Sequence, residues 1–170
     1  MERHAVLRDL SRDHQTVLQH AARLETAVQA GPQEALKASR SFLDWWSRAL
    51  RDHLEEESRY VVPKAAERGV AGRFNMIEEK LRNAVGQLQI TMMDPQYFRA
   101  SVVQVPPVLR THVSFCEANL FEDVEDSLDE AGLAQLGAEM SSFRRSRRPG
   151  SIGATRTEET FLGKPAAAPA

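Results

Sequence analysis

Apolar residues recur at steps of three and four along most of this chain, and that spacing restricts it to helices. Leu7, Leu10, His14, Val17, Ala21, Leu24 and Val28 share one helical face. "AGPQ" at 30–33 interrupts the pattern: Gly31 can stop a helix and Pro32 can open the next. A second helix is expected from near Gln33 to near Val62, where Pro63 discourages continuation. A third covers about Arg73 to Met92, with Ile77, Leu81, Ala84 and Leu88 inward, and "MDP" at 93–95 turns the chain. Val102, Val105, Leu109, His112, Cys116 and Leu120 define a fourth stripe. Pro106 and Pro107 fall inside it, so that helix either kinks or restarts there. A short fifth helix carries Leu133, Leu136, Met140 and Phe143 on one face.

Almost nothing alternates as a strand would. The expected fold is all-α, an up-down-up-down four-helix bundle with a short fifth helix over residues 1–143. Residues 144–170 are rich in Arg, Gly, Pro, Thr and Ala and read as a disordered tail.

The bundle's polar residues are in unexpected places. The stretch "DHLEEESRYVVP" (52–63) continues the stripe of Leu43, Trp46 and Leu50, and its next inward positions are His53, Glu57 and Tyr60. His53 and Glu57 stand four residues apart and therefore share a face. A buried carboxylate is costly without cations, donors or a metal. His14 and His53 lie at similar distances from the Gly31 turn, which brings them within one or two turns in height in an antiparallel pair. His112 and position 80 match in height about the Pro95 turn in the same way. A lone inward His is more often a satisfied core residue, whereas His residues converging with a carboxylate suit iron, manganese or zinc.

Other classes find less support. Net charge is −2, so no global field draws the chain to nucleic acid or acidic lipid. "RRSRR" (144–148) has no interleaved aromatics and reads as the solvated end of a helix, and Glu55 and Glu56 read as solvated too. Cys116 is the only cysteine, which excludes an internal disulfide and suits a reducing compartment. With neither a signal-peptide core nor a membrane-length apolar run, a cytoplasmic location is expected. No nucleic acid or membrane partner is expected, and no protein partner is indicated.

Three segments, in this order, resemble the hemerythrin-like or HHE cation-binding domains. "LSRDHQTVLQHAARL" (10–24) is similar to the family's first-helix His motif. "HLEEESRYVVP" (53–63) is similar to its His-x-x-x-Glu followed by an apolar pair and Pro. "HVSFCEANLF" (112–121) is similar to its fourth-helix His, acidic pair and Leu-Phe. The likeness spans roughly residues 5–143. It implies a four-helix bundle built around a non-haem di-iron centre, with His14, His53 and Glu57 matching ligands of one iron. His112 matches a ligand of the other and Glu117 the second bridging carboxylate. Cys116 stands where many members carry another acidic residue, and Tyr60 lies one turn past Glu57, to shield the site or to pack.

The third helix departs from this pattern. Lys80 occupies the expected His position, with Met76 four residues earlier. Lys80 either places its ammonium where the second metal would sit, or snorkels to solvent, or the register differs and Glu78 or Glu79 turns inward. The resemblance therefore implies a reduced site holding one iron, or another divalent metal, rather than two. It implies oxygen, redox or iron sensing or handling, with O₂ as a small ligand and no turnover. The alternative is a metal-free bundle that serves as a structural or protein-interaction module.

Overall fold

The computed structural model describes residues 3–67 and 69–147, and every regular element among them is helical. The first rod is α1 (Arg8–Ala30). Gly31 ends it at φ 130°, a conformation that a side chain would strain, with its N–H on the Ala27 carbonyl at 3.2 Å. Pro32 then opens α2 (Pro32–Trp45). So short a connection turns α2 back along α1.

The second rod runs on through a π-helical turn (Trp46–Leu50), α3 (Arg51–Glu56), another π-helical turn (Glu57–Val61) and a 3-10 turn (Val62–Lys64) that contains Pro63. The third rod is α4 (Val70–Thr91). Asp94 caps α5 (Pro95–Val102) by accepting from the Gln96 N–H at 3.0 Å. The helix does not kink at the prolines but restarts there as α6 (Val105–Phe115), with proline in its first turn, where a missing N–H costs nothing. A third π-helical turn (Cys116–Leu120) and α7 (Phe121–Ser127) complete the fourth rod. Asp129 caps α8 (Glu130–Ser146) through the Gly132 N–H at 2.8 Å.

Pairs across the rods fix their directions. His20 stacks on Trp45 while His14 meets His53, so the first two rods run antiparallel. Glu25 binds Arg110 while Ser11 binds Glu117, so the first and fourth do as well. The fold is the expected all-α bundle, with α8 laid across its outside. Leu136 and Met140 of α8 pack with Leu7, Leu10, Val61 and Leu120. Phe143 meets Tyr60 edge-on at 5.3 Å. α8 continues to Ser146, past the expected end of the folded region at residue 143, and the expected tail from residue 148 lies outside the described residues. No helix among the described residues is long and apolar enough to cross a membrane.

The interior consists of two apolar clusters. One holds Val17, Leu50, Leu54, Leu81 and Leu109. The other holds Leu10, Val61, Phe74, Cys116 and Leu120. His14, His53, Glu57 and His112 occupy the level between them on three rods and are all buried. α4 differs from expectation here. Its buried stripe is Phe74, Glu78, Leu81, Val85 and Leu88, so Ile77 and Ala84 are only half buried. Position 80 is next to Leu81 and thus about 100° around the helix from it. Lys80 is accordingly exposed.

Candidate metal centre

The Glu57 carboxylate is fully buried at the centre of three imidazoles. His14 Nε2 lies 3.2 Å from its Oε1, and His53 Nε2 lies 3.4 Å from the same atom. His112 Nε2 lies 3.2 Å from Oε2. The rings pack nearly edge to face, with centroids 4.9 Å apart for His14 and His53 and 5.4 Å for His14 and His112. α1, the second rod and α6 each present one imidazole because a His replaces an apolar residue in each inward stripe.

Behind two of the imidazoles, the Nδ1 side faces a carboxylate. His14 donates from Nδ1 to Glu117 Oε1 at 2.7 Å. His53 Nδ1 faces Asp13 Oδ2 at 3.6 Å. Cys116 Sγ lies 3.8 Å from His112 Nδ1 and 4.0 Å from its Nε2, beside that ring and not behind it. Of these carboxylates, Glu117 fixes the ring and tautomer of His14 and leaves its Nε2 aimed inward, while Asp13 faces His53 as a counter-charge. They are themselves held. Glu117 Oε2 accepts from Ser11 Oγ and Arg3 Nη2, both at 3.1 Å. Arg144 Nη2 donates to Asp13 Oδ2 at 3.1 Å, and its Nε donates to Glu56 Oε1 at 2.8 Å. Phe121 stacks on His14 at 5.4 Å, and Phe74 of α4 meets His112 at 6.1 Å.

The centre is incomplete as a hydrogen-bond network. Both ring nitrogens of His53 and Glu57 Oε2 are buried and make no hydrogen bond. Buried polar atoms in that condition are rare and costly. A metal cation would satisfy His53 Nε2 and Glu57 Oε2, and imidazole with carboxylate is a donor set that transition metals accept. One atom each from His14, Glu57, His112 and Cys116 lie within 4.8 Å of one another, which is the reach of a single ion's ligands before they close on it. A family model, the hemerythrin HHE cation binding domain, matches residues 5–124.

The chain belongs to the hemerythrin HHE cation-binding family. No curated protein and no solved structure matches it. Membership in a family of cation-binding domains and the His/Glu/His/Cys cluster together support metal binding.

Electrostatics in this HHE domain follow from burial and from Glu57. For His53, burial disfavours the charged ring, but Glu57 and Asp13 outweigh it and raise the pKa to about 10. For His14, burial is likewise outweighed, by Glu117 and Glu57, and the pKa is raised. His112 is lowered, because burial prevails over Glu57. Burial would raise Glu57, yet His53 and His112 hold its carboxyl well below the usual range. Burial, then Glu57, pushes the Cys116 thiol well up.

The expected site residues are placed as follows. His14, His53, Glu57 and His112 come together. Glu117 does not face the interior with them: it sits at the rim and orients His14. Its neighbour Cys116 takes the inward position instead, fully buried. Lys80 is exposed and apart from the cluster, because the α4 stripe turns Phe74 and Glu78 inward. Glu78 is buried and pairs with Arg82 at 2.5 Å. Tyr60 packs on Phe143, one turn beyond the cluster. Glu56 is buried against Arg144 and not solvated. Arg144 and Arg147 are not a free solvated run either, since Arg147 pairs with Glu55 at 2.5 Å and with Asp52. Asp13, Ser11, Arg3 and Arg144 were not foreseen. The one available signal was Asp13 beside His14, an acid next to an inward His on a helix; Arg3 and Arg144 reach the centre from the two ends of the domain.

Proposed function

We propose that this HHE domain binds one non-haem metal ion, iron first among the candidates, and serves oxygen, redox or iron sensing or handling. The observation that carries the reading is the convergence of three Nε2 atoms on Glu57, with carboxylates behind the Nδ1 atoms of His14 and His53. His14, His53, His112 and Glu57 would hold the ion. One ion is favoured over two because α4 offers Phe74 at this level, and Phe74 has no donor atom.

Bound iron would supply a redox-active centre able to take a small ligand such as O₂. The chain's own residues do the rest. Glu117 holds His14 in the tautomer that leaves Nε2 free, Asp13 faces His53 as a counter-charge, and Arg3 and Arg144 hold those carboxylates in turn. Phe74 and Phe121 wall the centre with apolar surface and keep water from competing for it. The reading is one of binding and sensing, without turnover.

A metal-free structural or interaction module is the second reading. In its favour, His14, His53 and Glu57 already balance charge inside the bundle. Metal analysis of the full chain, reconstituted anaerobically with Fe(II), separates the two. About one iron per chain, lost in a His53→Ala/Glu57→Ala variant, supports the metal reading. No iron, with circular dichroism unchanged, supports the module.

A further inference from the structure

Cys116 is the donor that this reading leaves unused. It is fully buried and follows His112 by one helical turn on the fourth rod. Its Sγ belongs to the same tight group of atoms as His14, Glu57 and His112, all within 4.8 Å of one another. The adjacent carboxylate cannot take its place, since Glu117 Oε1 is bound to His14 Nδ1 and its Oε2 to Ser11 and Arg3. A separate observation shows that the centre lacks a partner: Glu57 Oε2, on the group's carboxylate, and His53 Nε2, 3.4 Å from Glu57 Oε1, are buried without a hydrogen bond.

We propose that Cys116 is itself a metal ligand, so that the centre is a mixed thiolate, carboxylate and imidazole site for a divalent ion of borderline softness. The inference rests on the metal-binding reading above and goes beyond it by adding sulfur to the donor set. On binding, the thiol proton leaves to solvent as the sulfur–metal bond forms, and no electron is transferred. A coordinated thiol is deprotonated outright by the ion's charge. Sulfur shifts preference toward zinc, cobalt and ferrous iron and away from magnesium and manganese, which favour oxygen. An oxygen ligand at this position would keep cobalt above manganese but with a smaller margin.

The test is cobalt(II) titration of the full chain under anaerobic conditions, followed by near-ultraviolet absorption. The expected result is a thiolate-to-cobalt charge-transfer band in the native protein. Cys116→Ser loses the band, and its cobalt affinity falls about tenfold or more. Cys116→Asp binds cobalt without the band and narrows the margin of cobalt over manganese. Cobalt bound to the native chain without the band overturns the proposal, even if neither variant folds. A band that survives in Cys116→Ser overturns it as well. If the native chain takes up no cobalt at all, the metal-binding reading fails and this inference fails with it.

Discussion

His14 places Nδ1 2.7 Å from Glu117 Oε1 and so commits Nε2 to the interior, 3.2 Å from Glu57. One carboxylate orients the ring and the other receives it. In this geometry Glu117 acts on the metal only through His14. Glu117→Gln should weaken metal affinity by roughly 10- to 100-fold, the usual effect of losing such an outer partner, while stoichiometry holds at one. Competition with a chelator measures this. Complete loss of metal would mean that Glu117 is a ligand after all.

Behind His53, Arg144 of α8 bonds Asp13 and Glu56, and both acids are buried. Arg144→Met removes the cation bonded to both buried carboxylates and leaves Asp13 only its longer contact with His53. Urea denaturation of the apo protein at neutral pH should show a loss of about 1–3 kcal/mol. The loss should shrink in acid, where the carboxylates take up protons. An unchanged midpoint would show that α8 does not support the centre.

His20 stacks on Trp45 at 4.0 Å, away from the metal cluster. Burial, and then Arg23, lower its pKa from 6.5 to about 4. The unfolded chain therefore binds a proton that the folded chain refuses. Its contribution to stability is full above pH 6.5 and is lost as pH falls from 6.5 toward 4. His20→Phe should flatten that part of the stability–pH curve relative to the native protein. Parallel curves across that window would contradict the assignment.

Lys80 is exposed, so Lys80→His should leave metal content at one ion per chain and change stability by less than about 0.5 kcal/mol. Metal analysis and denaturant unfolding check both points. A rise to two ions would place position 80 at the centre and displace Phe74 from the role given to it.

Much of this was legible in the sequence, and the failures have local causes. The rods follow from the apolar period, and His14, His53, Glu57 and His112 stand out because each interrupts an apolar stripe. α4 misleads because apolar residues at 74, 76, 77, 81, 84, 85 and 88 fit two overlapping stripes, one starting at Phe74 and the other at Ile77. Only packing against the other rods chooses between them, and it turns Lys80 outward. On the fourth rod, Cys116 and Glu117 are adjacent and begin a π-helical turn, where the usual 3.6-residue register no longer says which of the two faces inward. Arg144 and Arg3 could not be assigned from local pattern, since each meets its acids from more than 85 positions away along the chain.

The most direct test of the central claim is X-ray absorption at the iron edge on the anaerobically loaded full chain. A single metal held by His14, His53, His112 and Glu57 predicts strong imidazole scattering around the iron and no iron–iron vector. An iron–iron vector, or iron without imidazole neighbours, would contradict it.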